Sequence, residues 1–418
     1  MDGRADRRLR EPRVRRRLSP PLFPSDLVAL GGARRARVQV AGRVLALDAE
    51  RLSLADAFAL VVVEGAFGAV APGDWLRLSG VWNGRALRAA KLTARTPAPL
   101  PRGDGETARF VFERTGERLR ARALALDAIR GYFAEQGFIE VETPYVVPAP
   151  GVDSHIEALR AELGFVITSP ELAMKRLLVG GVPRQFQVAR VARRDESGAL
   201  HEPEFTLLEW YRAFAGQEAM LRDTEAVVRR VARAVRGRPE LITADERRIA
   251  LGSPFERISV DAAFRRYAKV RDVCDLAASD EARYFELLVS RVEPALARFD
   301  RPVFLTDYPL SQAALARPCP RDARFAERFE LYVGGVELSN GYGELTDAVE
   351  QRRRFVAEAE RRRRDGRGVY PIDERFLAAL VEGMPEAGGN ALGVDRLVML
   401  ATGAKRVQDV IAFPRERL

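Results

Sequence analysis

A proline- and glycine-rich stretch divides the 418-residue chain into two unequal parts. It reads PAPLPRGDG at 97–105, a composition typical of a linker between domains. A chain of this length also favours one large domain together with a smaller one. We therefore predict a small domain at residues 34–96, a linker at 97–114 and a large domain at 115–418.

The smaller part carries short apolar runs separated by turn signals. The runs lie at 38–44, 57–63 and 75–81, and Asn83-Gly84 is a typical tight turn. This spacing predicts a small β-barrel of about five strands, for which an oligonucleotide-binding (OB) fold is the natural candidate. Such barrels stack bases on exposed aromatic side chains. The candidates, which could equally be core residues, are Phe58, Phe67, Trp75 and Trp82.

Residues 1–33 are rich in arginine and proline, with the run RVRRR at 13–17. Such a segment buries too little apolar surface to offset the entropy of ordering it, so we expect a disordered, mobile tail. The net charge of +9 favours an anionic partner, such as a nucleotide, RNA or an acidic protein surface. A genome that prefers arginine codons would give the same charge.

The remaining composition excludes several classes of protein. Hydrophobic residues make up 47% of the chain and charged residues 30%, an ordinary globular balance. No apolar run approaches the roughly 18 residues that span a bilayer, and the N-terminus has no apolar signal-peptide core. We therefore expect a cytoplasmic protein with no membrane partner. Cys274 and Cys319 stand far apart in sequence, which supports neither a disulfide framework nor a zinc site.

The larger part mixes helical and strand-like patterns. Apolar residues at helical spacing predict a long helix at 117–136, and Gly137 fits the position just after its end. Further helices are predicted at 218–236, 281–298 and 347–364, and strands at 140–142, 165–168, 185–191, 204–211, 329–333 and 336–339. Neighbouring strands without a helix between them indicate an antiparallel sheet, so the fold class is α+β.

Five strings in this part resemble known motifs. They are GFIEVETP at 137–144, TSPELAMK at 168–175, RRDE at 193–196 with HEPEFTLLEWY at 201–211, ELSNGYGE at 337–344, and GGNALGVDRL at 388–397. The first, third and fifth look like motifs 1, 2 and 3 of class II aminoacyl-tRNA synthetases. Taken together, the strings resemble the lysyl branch of that family over roughly residues 115–418.

The resemblance implies an antiparallel sheet flanked by helices, a homodimer formed through motif 1, and ATP and Mg²⁺ as cofactors. Arg193 and Arg396 would be catalytic, because an arginine can fork two N–H donors onto a phosphate as its charge builds up. Counting back from His201 selects Arg193 for the α-phosphate, whereas a loop one residue shorter would select Arg194. The expected ATP-binding residues are Arg193, Arg194, Asp195, Glu202, Glu337, Leu338, Gly393 and Arg396.

Two of these positions depart from the family pattern, since Asp195 replaces the usual glutamate and Glu202 the usual asparagine. The amino acid itself would be bound by a second set of residues: Ser169, Pro170, Glu171, Tyr211, Asn340, Glu344 and Ala391. Glu337 and Glu344, seven residues apart, could reach one face of a strand and turn. Hard divalent cations prefer such oxygen ligands, so both are predicted to bind Mg²⁺.

Two families within the lysyl branch compete. One is lysyl-tRNA synthetase, and the other is the elongation factor P (R)-β-lysine ligase, which modifies a protein instead of a tRNA. The strings LEWYR at 208–212, VEP at 292–294 and SQAALA at 311–316 favour the protein-modifying family, as does Ala391. The N-terminal barrel favours the tRNA family, because the protein-modifying ligases generally lack such a domain.

The resemblance therefore predicts activation of lysine or (R)-β-lysine as an adenylate and its transfer to a lysine side chain of elongation factor P. The chemistry needs no enzyme nucleophile, which agrees with a chain whose only histidines are His155 and His201. Acylation of tRNA is the alternative. An inactive synthetase-like regulator or RNA-binding protein is a third hypothesis, motivated by the two departures in motif 2.

Overall fold

The computed structural model describes residues 20–31, 36–48, 50–151, 155–252 and 254–418. The first 19 residues of the predicted tail lie outside this range. The chain divides into two compact units, residues 1–117 and 118–418. This division lies three residues after the start of the predicted large domain, inside a helix rather than in the linker.

The first unit is a closed five-stranded barrel with the strand order β1-β2-β3-β5-β4. One helix precedes the strands, and the elements are α1 (Pro24–Leu30), β1 (Ala36–Leu47), β2 (Arg51–Ala55), β3 (Leu60–Gly65), β4 (Trp75–Trp82) and β5 (Ala86–Thr96). Alternate residues such as Val40, Leu54 and Leu78 fill the interior. The predicted OB-like barrel is confirmed. Of its aromatic candidates, Phe67 and Trp82 are buried, and Phe58 and Trp75 are exposed.

The expectation of a mobile tail is wrong for residues 20–31. Leu22 forms a β-bridge with Val40, and Leu27 of α1 is fully buried in the barrel core. The indole N–H of Trp82 also donates to the carbonyl of Gly31 at 3.2 Å. A few apolar side chains between the prolines are therefore enough to fold this segment onto the barrel.

The predicted linker is also held against the barrel. Buried Asp74 accepts hydrogen bonds from the amide of Ala98 and from Arg95. Arg43 donates to the carbonyl of Pro99 at 3.1 Å and to the hydroxyl of Thr107 at 2.8 Å. The segment is thus an ordered strap on the first unit and ends in a short helical turn, Ala108–Phe112.

The second unit is built on a nine-stranded sheet. The strands of this unit are β6 (Ile139–Glu140), β7 (Val146–Val147), β8 (Arg160–Ala161), β9 (Gly164–Val166), β10 (Arg184–Ala192), β11 (Glu204–Ala213), β12 (Glu240–Ile242), β13 (Arg248–Ala250), β14 (Glu256–Ser259), β15 (Val303–Pro309), β16 (Pro318–Cys319), β17 (Asp322–Val333), β18 (Val336–Gly343) and β19 (Ala387–Gly393). The main sheet has the order β14-β15-β17-β18-β19-β11-β10-β6, with β16 paired to β17. The pairs from β15 to β10 are antiparallel, as predicted.

Helices flank this sheet. They are α2 (Thr115–Glu135), α3 (Glu171–Val179), α4 (Gln217–Arg236), α5 (Val260–Ala263), α6 (Val273–Ser279), α7 (Glu281–Leu287), α8 (Glu293–Leu296), α9 (Ala348–Arg364), α10 (Glu374–Gly383) and α11 (Val394–Thr402), with shorter turns at Phe264–Ala268, Leu288–Val292, Leu310–Gln312, Val407–Val410 and Arg415–Arg417. In the part of the chain that the structure describes, none of them is long and apolar enough to cross a membrane.

The predicted long helix is confirmed as α2, and Gly137 follows it with a φ of +70°, which only glycine adopts readily. The predicted helix at 281–298 is interrupted, because a turn of wider helix at Leu288–Val292 separates α7 from α8. Pro294 lies at the start of α8, where its missing N–H costs least. The fold class is as predicted, α+β, with helices flanking a largely antiparallel sheet.

Candidate active site

A cavity opens on one face of the central strands of the second unit. Four alternate residues of β11 line it, as the two-residue period of a strand requires: Phe205, Leu207, Glu209 and Tyr211. The neighbouring strand β19 contributes Gly389, Ala391 and Gly393, and β18 contributes residues from Glu337 to Asn340. These strands are adjacent in the sheet, which brings most of the predicted site residues together.

Two arginines form the cationic end of the cavity. Arg193 follows β10 directly; its guanidinium lies 5.1 Å from the Phe205 ring centre and its Nε donates to the carbonyl of Thr168 at 3.4 Å. Arg396, in the first turn of α11, donates to the carbonyl of Glu337 at 2.8 Å and to that of Leu200 at 3.2 Å. Both guanidiniums are therefore held in place while they face the same cavity.

His201 completes this end. Its Nε2 lies 2.7 Å from Arg396 Nη2. Burial, and then the charge of Arg396, lower the pKa of His201. A neutral imidazole accepts a hydrogen bond from a guanidinium and helps to orient it.

Of the two candidate arginines in motif 2, the structure places Arg193 at the cavity and Arg194 outside it. The side chain of Arg194 is 62% exposed and forms an ion pair with the adjacent Asp195 at 3.1 Å. Asp195 has a φ of +67°, which turns the chain sharply here. Neither residue lines the cavity.

Glu202 does line the cavity, but its carboxylate is already bound. One oxygen accepts from Gln408 Nε2 at 2.8 Å, and the other from the amide of Arg415 at 3.0 Å. The carboxylate therefore holds the C-terminal segment against motif 2. A contact with the nucleotide would come in addition to this role.

The two carboxylates predicted to bind Mg²⁺ lie at opposite ends of a strand. Glu337 is the second residue of β18, and Glu344 follows its last residue. A strand rises about 3.3 Å per residue, so seven residues separate their backbones by roughly 20 Å. Oxygen ligands of one ion lie within about 2.6 Å of it. Glu337 and Glu344 are therefore too far apart to hold one ion together, and that each of them binds Mg²⁺ stays a prediction.

Glu337 remains suited to a metal that arrives with phosphates. Its side chain is 42% exposed into the cavity and lies 3.7 Å from Arg396. Desolvation by the surrounding protein, and then the nearby charge of Glu330, raise the pKa of Glu337, which a divalent cation would reverse. The described residues contain no group of three or more acidic, histidine or cysteine side chains that could hold a metal alone. One carboxylate with substrate phosphates is the pattern typical of Mg²⁺.

A cluster of carboxylates forms the opposite, anionic end. Glu209 is buried and accepts hydrogen bonds from Ser169 Oγ at 2.5 Å and from the Tyr211 hydroxyl at 3.1 Å. Desolvation, and then the charge of Glu171, raise the pKa of Glu209 to about 8. Pro170 directly precedes α3 and Glu171 begins it, so this turn places Ser169 and Glu171 side by side.

Glu344 lies behind this cluster. It is fully buried, and its Oε2 lies 2.5 Å from the ammonium of Lys175. Lys175 is itself fully buried and donates to Glu171 Oε1 at 2.6 Å. Desolvation lowers the pKa of Lys175, but the charges of Glu171 and Glu344 outweigh it and raise that pKa overall. The lysine is therefore an ammonium permanently held between two carboxylates.

Four further predicted residues also line the cavity. Asn340 accepts a hydrogen bond from Arg328 at 3.3 Å and donates one to the Tyr342 hydroxyl at 3.1 Å, which fixes its amide. Ala391 is paired in register with Asn340 on one side and Glu209 on the other. Leu338 is almost fully buried in the core of the unit, and Gly393 ends β19 beside Arg396.

Comparison with known proteins places the chain in a family. Residues 106–417 match the family model described as tRNA synthetases class II (D, K and N). Similar proteins named elongation factor P--(R)-beta-lysine ligase occur in Edwardsiella ictaluri (39% identity, 72% of this chain and 95% of that protein) and Salmonella arizonae (38%, 75% and 99%). A protein of the same name in Proteus mirabilis is 39% identical over 71% of this chain and 94% of its own length.

The second unit is thus a class II aminoacyl-tRNA synthetase domain, and the chain is an ATP-dependent ligase of that type. Within the class it belongs to the family of the elongation factor P (R)-β-lysine ligases. The resemblance derived from the motifs is confirmed. The barrel strands β1–β5 end at Thr96, before the family match begins at residue 106.

Sequence reasoning missed two residues of the anionic end. Glu209 was noticed only as part of the string LEWYR, although its spacing of two from Tyr211 on a strand puts both on one face. Lys175 stands four residues after Glu171 on a helix, a spacing that predicts an ion pair. Its second partner, Glu344, comes from a distant part of the chain that no local pattern connects to it.

Proposed function

We propose that this ligase activates lysine or (R)-β-lysine with ATP and transfers the aminoacyl group to a lysine side chain of elongation factor P. The observation that carries the proposal is the opposite charge of the two ends of one cavity. Arg193 and Arg396 suit the phosphates and the reacting carboxylate. Glu171 and Glu209, with Glu344 buried behind them, suit ammonium groups. The names of the relatives support the acceptor.

In the first step, a carboxylate oxygen of the amino acid attacks the α-phosphorus of ATP, and pyrophosphate leaves with the electrons of the broken P–O bond. Arg193 and Arg396 stabilise the charge that develops on the phosphate oxygens. Their guanidiniums are already fixed by backbone carbonyls and His201, so little reorganisation is needed. Mg²⁺ bound with the phosphates at Glu337 would neutralise part of their charge.

In the second step, the acceptor amine attacks the carbonyl carbon of the adenylate, and AMP leaves. The residues of the cavity contribute positioning and charge rather than a covalent intermediate. Asn340 and Ala391 line the cavity, and the proposal assigns them contacts with the amino-acid portion of the substrate. A substrate held at both ends keeps its carbonyl at a fixed place for the acceptor.

Acylation of tRNA is the second candidate, and the barrel favours it. Closed five-stranded barrels of this order bind nucleic acids, and Trp75 is exposed with the guanidinium of Arg43 5.7 Å from its ring centre. The relatives match about three-quarters of this chain and nearly all of their own length. The acceptor must therefore be tested directly.

We also propose a homodimer formed through motif 1. Leu124 of α2, Ile139 of β6 and Tyr145, five residues after β6, are exposed by 43%, 56% and 46%. β6 is also the terminal strand of the main sheet. Large exposed apolar side chains along one segment are typical of an interface. A concentration-independent monomer mass in sedimentation equilibrium would exclude the dimer.

The activation step is tested by exchange of labelled pyrophosphate into ATP. The proposal predicts exchange that depends on lysine or (R)-β-lysine and on Mg²⁺. ATP binding without exchange for any amino acid would contradict it and support an inactive regulator.

A further inference from the structure

Lys175 lies behind the anionic end of the cavity, and the proposed function does not use it. Its ammonium is shielded from solvent between Glu171 Oε1, at 2.6 Å, and Glu344 Oε2, at 2.5 Å. Glu171 is on the same helix, α3, whereas Glu344 follows β18. The lysine therefore connects two elements that are far apart in sequence.

The charges at this end do not cancel. A buried ammonium is very unfavourable without partners, and here two carboxylates surround one lysine. The triad keeps one surplus negative charge, and Glu209 adds another when it is ionised. Desolvation raises the pKa of Glu344 to about 7, and the charge of Lys175 opposes that rise. Lys175 thus favours the ionised form of Glu344, and the two carboxylates together still offer negative charge to a second cation.

The free oxygen of Glu344 adjoins the cavity. Neither oxygen of Glu344 has a hydrogen-bond partner of good geometry among the residues that the structure describes, but Oε2 is engaged by the ion pair with Lys175 and Oε1 by no cation. A Cβ placed on Gly389 would overlap both this oxygen and the ring of Tyr211. Gly389 and Tyr211 line the cavity, so the missing side chain at Gly389 leaves Oε1 directly behind the cavity wall. The ion pair with Lys175 engages Oε2 and so determines which oxygen is left for a ligand.

We propose that Lys175 is a positioning residue for amino-acid specificity, which holds Glu344 and Glu171 in the orientation that accepts the side-chain ammonium of the substrate. The inference rests on the proposed function and deepens it. Lys175 touches neither the substrate nor ATP, and it acts through the two carboxylates. Recognition of the substrate's side-chain ammonium then depends on the ammonium of Lys175.

A purely structural role would have different consequences. If Lys175 only tied α3 to the end of β18, its loss would lower stability and activity toward every substrate alike. A positioning role predicts a selective loss, because only the substrate ammonium needs Glu344 and Glu171 in this arrangement. The KM for the amino acid must then rise while the KM for ATP stays the same.

The experiment measures pyrophosphate exchange by the full-length protein and its Lys175→Met variant. The substrates are lysine, (R)-β-lysine and norleucine, which is lysine without its side-chain amine. Charge-assisted hydrogen bonds set the scale, so we expect the KM for the preferred lysine isomer to rise about 10- to 100-fold. The preference for lysine over norleucine should fall by a similar factor. Arg176→Met, an exposed neighbour on α3, is the matched control and should behave as wild type.

A second pair of variants covers the case in which Lys175→Met fails to fold because Glu344 is left as an unpaired buried charge. Glu344→Gln removes that charge, and the double variant K175M/E344Q leaves a neutral pair. Because Lys175 still holds Glu171 in E344Q, adding K175M there should raise the KM further, but by clearly less than K175M raises it in the wild type. An independent, multiplicative loss in the double variant would overturn the inference.

The outcomes separate this inference from the proposed function. If the wild-type protein shows no pyrophosphate exchange with any of the amino acids tested, both the proposed function and the role of Lys175 are refuted. Exchange by the wild type, together with an unchanged KM and an unchanged preference over norleucine in Lys175→Met, would refute the role of Lys175 alone.

Discussion

Replacing Glu209 by glutamine should make the protein more stable and cost it most of its activity. Glu209 is buried, and desolvation raises its pKa from 4.5 to about 8. In the unfolded chain the same carboxyl ionises near its ordinary value. Raising the pH from 4.5 to 8 therefore favours the unfolded state, because only there is the carboxyl free to lose its proton. The stabilising contribution of the neutral form is complete at low pH and is lost as the pH rises.

The magnitude follows from 1.36 kcal/mol for each unit of pKa shift. Glu209→Gln, which cannot ionise, should stabilise the fold by less than about 1 kcal/mol at pH 5 and by roughly 3 kcal/mol at pH 7. At pH 9 the gain should reach roughly 4–5 kcal/mol. The gain would appear as a rise of several degrees in Tm at pH 9 that is nearly absent at pH 5.

The pyrophosphate-exchange activity of Glu209→Gln should fall, although the stability of the variant rises. A neutral amide cannot form a charge-assisted hydrogen bond with an ammonium, so the KM for the amino acid in pyrophosphate exchange should rise about 10- to 100-fold. Glu204→Gln is the matched control, because Glu204 is on the same strand but its side chain is 62% exposed. A stability gain that is equal at pH 5 and pH 9, or an unchanged KM, would refute this account of Glu209.

Further variants test the rest of the site. Arg193→Ala should lower kcat/KM in pyrophosphate exchange by about 100-fold or more, and Arg194→Ala should have a much smaller effect; equal losses would mean that both arginines contact the phosphates. Glu337→Gln should raise the KM for ATP and the Mg²⁺ concentration needed for exchange. Glu344→Gln should instead raise the KM for the amino acid. The same pattern in both variants would contradict the separation of the two residues along β18. Arg122→Met should lower the free energy of unfolding by roughly 3 kcal/mol in denaturant titrations, because it leaves buried Asp395 without its ion pair; a change below about 1 kcal/mol would show that this pair is not needed.

Much of the fold follows from local patterns. The helix α2 has its stop at Gly137, and β10 and β11 carry apolar residues on both faces as a central hairpin must. The motifs predicted an arginine next to a strand of the hairpin and another in a helix that follows a strand, and Arg193 directly follows β10 while Arg396 lies in the first turn of α11 after β19. In these cases a short stretch of chain contains the information that determines the geometry.

Other features depend on distant parts of the chain. The pairing of Lys175 with Glu344 and the bonds from Gln408 and Arg415 to Glu202 are tertiary contacts without a local signal. The spacing of seven residues between Glu337 and Glu344 says nothing about the distance between their carboxylates until the strand between them is known. The ordered segment at 20–31 was missed because average composition hides single buried residues such as Leu27.

The most direct test of the proposed function is acyl transfer by the purified protein with ATP and labelled lysine or (R)-β-lysine. Elongation factor P is offered in one reaction and tRNA in another. The proposal predicts label on elongation factor P, stronger with (R)-β-lysine than with lysine. Label on tRNA alone would contradict it and would assign the barrel to tRNA binding.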